Sequence, residues 1–420
     1  MSAESYAIVF AALLLLAGRL ADLYGARQLF LIGLAVFGLT SLLAALAPGG
    51  GLLILARFPQ GVGGAMILPT SLALVNAAFS GEARGKAFAV WGSTIGAAAA
   101  VGPLLGGWLA DFSWRWAFGI NIPAVILIAV AVLRYLPAST PVRGRVDIIG
   151  ALLSICGLGL LSFGLIEGRA HGWLRTTEPL SIAGFDWTVG PSPVAVAFVL
   201  SAATLAAFWI RQARLGGTGG EPLMDVKLFG ISSFRQGNAV TLLVGLGEFG
   251  IIAVLPLWLQ FTLGYSALQT GLALLPLAIG SFCASGASFS LTASVSALGQ
   301  VRIGLALEAV GLVLLGLFAA ADSAWWSIAI ALFIYGIGIG LATAGLPDQQ
   351  AEQFGAAITD SAGSAVPALA ADPATEPIAA AGREAMSSAV ELSSYLCAAL
   401  LAAALLATLF MRPARATRPD

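Results

Sequence analysis

Long apolar runs broken by short polar loops recur along the whole chain. They lie near residues 5–22, 29–47, 52–79, 86–110, 115–136, 147–167, 193–211, 237–261, 269–292, 301–321, 325–346 and 392–411. A run of roughly 20 apolar residues is long enough to cross a bilayer core of about 30 Å as a helix. The pattern therefore predicts an all-α, polytopic bundle of about twelve transmembrane helices. The runs are rich in Gly and Ala, which lets helix backbones approach closely in lipid. A secretory signal peptide accounts for one such run and not for the series.

Composition sharpens this reading. Hydrophobic residues make up 59% of the 420 positions and charged residues only 10%, with a mean hydropathy of +0.94. A soluble domain needs more charge than that on its surface. The net charge of −1 gives no electrostatic reason to expect nucleic acid as a partner. Cys156, Cys283 and Cys397 all fall inside apolar runs, without metal or redox spacing, and read as small buried hydrophobes. His171, the single histidine, falls in a loop and reads as ordinary surface.

Basic residues in short loops mark the cytoplasmic side. Arg19 and Arg27 follow the first run, Arg84 and Lys86 the third, and Arg134, Arg143 and Arg145 the fifth. Arg211, Arg214, Lys227 and Arg235 follow the seventh, and Arg302 follows the ninth. The alternate loops hold only Arg115, Arg169 and Arg175. This alternation puts the loop GRLADLYGARQ (18–28) in the cytoplasm and the N-terminus outside. At the other end, crossings counted from Leu346 leave Arg412, Arg415 and Arg418 outside, against the rule. The stretch 347–391 contains Glu352 and Asp360 and is a poor spanning segment, since a mid-membrane carboxylate costs on the order of 3 kcal/mol.

Several stretches carry candidate chemistry. In GRLADLYGARQ, Gly18 and Gly25 permit close packing and a tight turn. Asp22 can face a helix N-terminus, and Arg19 and Arg27 can pair with it or with neighbouring elements. The competing reading is a plain positive-inside turn. LARFPQGVGGAMILP (55–69) places Arg57 just inside an apolar run, followed by Gln60. An intramembrane arginine normally faces a partner or a water-filled cavity. WGSTIGAAAAVGPLLGGWLAD (91–111) sets Gly102, Gly106 and Gly107 around Pro103, which removes a helix hydrogen bond. Glu248 and Glu308 sit mid-run, as titrating groups, as attractors of a lipophilic cation, or as carboxylates paired within the bundle. Asn121, Trp258 and Gln260 are candidates for lining a cavity, with helix packing the alternative.

These residues resemble the major facilitator superfamily, in its fourteen-helix drug:proton antiporter branch (EmrB/QacA-like). The loop is similar to the signature G-x-L-x-D-x-x-G-x-R at Gly18, Leu20, Asp22, Gly25 and Arg27. Arg57, Gln60 and Gly61 resemble the fourth-helix R-x-x-Q-G element, and Gly102, Pro103, Gly106 and Gly107 the fifth-helix antiporter signature G-P-x-x-G-G. WRWAFGINIP (114–123), Asp147 with Gly150, LPLWLQ (255–260) and GYSALQTGLALLP (264–276) follow in the family's order. The resemblance covers roughly residues 6–346 and 385–412.

By that resemblance the first run corresponds to the family's second helix. The acidic first helix is absent and the thirteenth is deleted near 347. Residues 1–136 form an N-terminal bundle, 137–231 two linker helices with their loops, and 232–420 a C-terminal bundle. With the acidic helix gone, Arg57 is expected to lie open to water. The implied function is proton-coupled efflux of drugs or other amphipathic small molecules across the plasma membrane, through a central cavity open to either side in turn. Gly18, Asp22, Gly25 and Arg27 form a conformational latch, and Arg57, Gln60, Glu248 and Glu308 are candidates for proton coupling. No cofactor is implied beyond the proton gradient. No nucleotide-binding loop is recognisable and no His, Cys or paired-acid constellation suggests an enzyme. The alternative is a transport-inactive or partner-dependent relative. Single cysteines in the loops carrying Arg27, Arg84, Arg143 and Arg214 are expected to be shielded from an impermeant thiol reagent in intact cells. Labelling in more than one loop would refute the topology.

Overall fold

The computed structural model describes residues 2–80, 113–137, 144–182, 185–188, 190–291, 294–345 and 376–409, with isolated positions between 83 and 112 and at 139 and 141. Its helices are α1 (Ser2–Tyr24), α2 (Ala26–Ala45), α3 (Gly50–Ala78), α4 (Trp114–Gly119), α5 (Asn121–Tyr135) and α6 (Ile148–His171). They continue as α7 (Pro193–Gly217), α8 (Ser232–Phe261), α9 (Ala267–Leu291), α10 (Ala297–Phe318), α11 (Trp325–Gly345) and α12 (Glu376–Leu409). Among the described residues, 11 segments are long and apolar enough to cross a membrane, α4 and α5 counting as one. They coincide with the apolar runs of the sequence. The run 86–110 lies largely outside the described residues, as do Lys86, Pro103, Gly107, Arg143 and everything from 346 to 375, including the expected deletion near 347. Gly102 and Gly106 are described as helical.

Local chemistry sets the helix ends. Gly25 adopts a φ of 92°, a left-handed conformation that side chains disfavour, and turns the chain from α1 into α2. Ser192 caps α7 by accepting the Val194 N–H at 3.1 Å, with Pro193 at the first helical position. The connection between α6 and α7 has structure of its own. It contains a short antiparallel hairpin, Leu180–Ile182 with Phe185–Trp187, and the Trp187 indole N–H donates to the Pro191 carbonyl at 3.0 Å.

The helices cluster into two units. The first holds those within 1–78 and 114–230, and the second the described helical positions between 83 and 112 together with the helices from 231 onward. In the first, neighbours follow the order α7, α6, α1, α3, α2, α5. α6 and α7 pack against each other, and α6 also packs directly against α1. In the second, the order is α9, α11, α10, α12, α8.

Each unit has a central helix that is smooth on opposite sides. On α3, Gly61 faces α1, where a Cβ would stand 2.7 Å from the Tyr6 carbonyl oxygen. Gly63 faces α2, 2.7 Å from the Phe37 backbone N. Two residues of helix turn the direction by about 200°, so alternate glycines open opposite faces. On α11, Gly336 and Gly340 lie against α9 at Leu277 and Ser281, while Gly338 lies against α10 at Glu308. Gly18 is different: no described atom lies within 4 Å of where its Cβ would stand. The close packing expected there is therefore corrected. Gly63→Ala and Gly338→Ala are each expected to destabilise the detergent-solubilised protein by about 1–3 kcal/mol through overpacking. Gly18→Ala should leave its melting temperature unchanged.

Candidate functional site

Three groups of polar residues stand out in this apolar chain. The first crosses the first unit from α3 to α5. The Arg57 guanidinium donates to Gln60 Oε1 at 2.7 Å. Gln60 Nε2 donates to Ser41 Oγ at 2.8 Å, and Asn121 Nδ2 donates to the same oxygen at 3.3 Å. Gln60 is 1% exposed and Ser41 is fully buried. The guanidinium also stacks over the Tyr6 ring at 4.5 Å and the Phe118 ring at 5.6 Å. Such stacking suits a delocalised cation that sheds water easily. Arg57 is therefore half-buried between aromatic faces and not left open to water, which corrects that expectation. The close α1–α3 approach at Gly61 and Gly64 brings Tyr6 there.

The second group gathers at one end of the first unit, where α1, α5 and α7 end and α2 and α6 begin. Arg19 pairs with Glu221 Oε2 at 3.1 Å, and the backbone N–H of Arg145 donates to the same oxygen. Arg27 donates to the Leu133 carbonyl at 3.0 Å. Asp22, expected to pair with these arginines or with a helix end, is exposed and makes no hydrogen bond or ion pair among the described residues. It borders a cleft lined by Gly25, Leu74, Leu136 and Ser139. Asp147 receives the Arg211 guanidinium at 2.7 and 2.9 Å and the Gln212 amide at 3.0 Å. Burial alone would push the Asp147 carboxyl up; Arg211, the Gly150 backbone and Gln212 together hold it below the ordinary carboxylate range. Gln212 Oε1 in turn accepts the Leu223 N–H at 2.7 Å and fixes the chain leaving α7.

The third group lies in the second unit. Glu308 on α10 is 0% exposed, and neither of its carboxylate oxygens has a hydrogen-bond partner among the described residues. Glu248 on α8 is half-buried, with Oε1 sealed and likewise unbonded. Trp258 is fully buried, and its indole N–H donates to Ser387 Oγ at 3.0 Å, so it packs α8 on α12. Gln260 is half-buried. No group of His, Cys, Asp and Glu suited to a metal occurs among the described residues.

The structure thus joins Arg57, Gln60 and Asn121, and adds Ser41, Tyr6 and Phe118, which carried no signal in the sequence beyond being small or aromatic. Glu221 and Gln212 were equally hidden, because a polar residue near a loop looks solvated until its partner is known. The model of the Major Facilitator Superfamily matches residues 1–371. The chain belongs to this family. Its similarity to a probable actinorhodin transporter of Streptomyces coelicolor is 32% identity over 80% of this chain and 57% of that protein. A methylenomycin A resistance protein of Bacillus subtilis is 30% identical over 86% and 74%. A puromycin resistance protein of Streptomyces alboniger is 38% identical over 66% and 51%. The matches span about half to three quarters of these relatives' lengths. The fold resembles the proton:xylose symporter XylE, with a TM-score of 0.55 at 12% identity over 96% of this chain and 83% of that one.

As a Major Facilitator Superfamily member with many membrane-length helices, the protein is a multi-pass protein of the plasma membrane. Family and fold are those of transporters rather than enzymes. A depressed carboxyl contributes stability above its unfolded value near pH 4, and that stability is lost as pH falls through the lower folded value. Asp147→Asn is therefore expected to lower the melting temperature of the detergent-solubilised protein at pH 7. The gap to wild type should close as the pH is taken below about 4.

Proposed function

We propose that the protein is a secondary active transporter that moves amphipathic or cationic small molecules outward in exchange for protons moving inward. The observation that carries this reading is Glu308, a carboxylate sealed inside a membrane bundle with neither oxygen bonded. An unpaired charge there is costly, and acids placed inside membrane helices mark proton or substrate paths. In a merely structural bundle such a group is only a penalty. In an antiporter it takes up and releases the coupling ion.

The other groups support the same scheme. Arg57, held by Gln60 and two rings, keeps a fixed positive charge within the membrane part of the first unit. Asp22 has no partner among the described residues at the end where Arg19 and Arg27 are already engaged, so its charge is available to an element that moves. Gly102, Pro103, Gly106 and Gly107 resemble the antiporter signature in sequence, and we assign this stretch to the exchange step. The relatives named for antibiotic transport or resistance point to amphipathic antibiotics as the substrate class. The proton gradient supplies the energy, with no nucleotide involved.

In inverted vesicles, accumulation of a fluorescent cationic amphipath should follow an imposed proton gradient and collapse with a protonophore. Arg57→Lys keeps the charge but loses planar stacking. It should slow transport by about tenfold or more, which corresponds to ~1.4 kcal/mol. Accumulation indifferent to the gradient would refute the antiport reading.

A further inference from the structure

Where α6 begins and α7 ends, the structure carries more positive charge than it uses. Asp147 takes the Nε and Nη2 groups of Arg211 and the Gln212 amide. Glu221 accepts from Arg19 and from the Arg145 backbone N–H. Asp225 accepts the Lys227 backbone N–H at 3.0 Å. Each acid that α6, α7 and the following segment place at this end is thus occupied. The guanidinium groups of Arg145 and Arg214 are exposed and have no partner among the described residues. An arginine in the last turn of a helix commonly serves the terminal carbonyls. Arg214 is not needed for that. The Thr218 N–H donates to the Arg214 and Leu215 carbonyls at 3.1 and 3.2 Å, and the Gly220 N–H donates to Leu215 at 3.0 Å. Lys227 Nζ donates to the Gly216 carbonyl at 2.7 Å.

Two clefts flank Arg211. One, of about 360 Å³, is lined by Ala207, Ile210, Arg211, Arg214, Leu215 and Thr218, with no acid. The other, of about 590 Å³, shares Arg211 and Leu215 with it and adds Arg145, Ile148 and Ile149. The acids of this second cleft are Asp147 and Glu221, both already engaged. Ile148, Ile149 and Ile210 are exposed and belong to segments of membrane-crossing length. Basic loops assign this end to the cytoplasmic face. Each cleft therefore joins an arginine rim to an apolar wall at membrane depth. Topology asks only for positive charge here; it does not ask for clefts.

We propose that this end of the α6–α7 pair binds an anionic phospholipid of the inner leaflet, with its phosphate at Arg211 and Arg214 and its acyl chains along the exposed isoleucines. The planar guanidinium suits phosphate oxygens. Arg211 is held in place by Asp147 through one edge, and its Nη1 has no described partner. Arg145 adds attraction from the second cleft. A lipid matches both the charged rim and the apolar wall, whereas a free phosphate matches only the rim. Asp147 also holds Gln212, which accepts the Leu223 N–H, so a lipid on Arg211 steadies the chain leaving α7.

The test follows the melting temperature of the full chain, stripped of lipid in a neutral detergent. It is titrated with dioleoylphosphatidylglycerol, with dioleoylphosphatidylcholine and with glycerol phosphate. Only the first should stabilise the protein strongly. Arg145→Gln and Arg214→Gln should each raise the lipid concentration for half-maximal stabilisation by about fivefold. Arg134→Gln should leave it unchanged, since this exposed arginine at the end of α5 lines neither cleft. Equal stabilisation by the zwitterionic lipid, or an equal loss in Arg134→Gln, would reduce the contact to general lipid or surface charge and overturn the site. Stabilisation by glycerol phosphate alone would overturn the lipid as its ligand. An unchanged response in Arg214→Gln would overturn the assignment to this cleft. The comparison of lipids on the wild type needs no substitution, so a variant that fails to fold does not decide the outcome.

Discussion

Close approach of helix backbones at glycine is the contact on which the rest of this structure depends. In lipid there is no hydrophobic gain from hiding one apolar helix behind another, so association relies on dispersion between closely packed surfaces. The chain meets that demand with a central helix in each unit that is smooth on two sides. Gly61 and Gly63 open α3 toward α1 and α2, and Gly336, Gly338 and Gly340 open α11 toward α9 and α10. A single Cβ at these places meets backbone rather than a flexible side-chain end, so nothing can yield cheaply.

The same packing decides the fate of the polar groups. Where α1 comes close to α3, Arg57 is pressed between Tyr6 and Phe118 and donates a hydrogen bond to the buried Gln60. A buried polar chain of this kind is tolerable because its members bond one another, with Ser41 accepting from both amides. In the second unit the packing does the opposite to Glu308. Gly338 seals it without offering a donor. One unit thus holds a satisfied charge, and the other a buried carboxylate without a described hydrogen-bond partner.

At the water-facing end, satisfied ion pairs replace glycine contacts. Asp147 with Arg211, and Glu221 with Arg19, tie α6 to α7 and α1 to the segment after α7. In that arrangement Asp22 alone of the loop's three charges is left without a described partner. The motif is therefore less a closed cluster than two anchored arginines holding an acid in the open.

Apolar run length and the alternation of basic loops determined on their own that the chain crosses a membrane many times, and ordered motifs determined its family. Both signals are local, since bilayer thickness fixes run length and short spacings fix motifs. Sequence also singled out Arg57, Gln60, Glu248 and Glu308, because charge in an apolar run is conspicuous by itself. It did not decide what each of them meets. Whether Arg57 faced water or rings depended on two glycines bringing another helix within reach. Whether Trp258 lined a cavity or packed depended on Ser387, far along the chain. Partners such as Ser41, Glu221 and Gln212 have no pattern of their own. Only the tertiary structure brings them to their places, because hydrogen bonds and ion pairs are set by distance in space and not by separation along the chain.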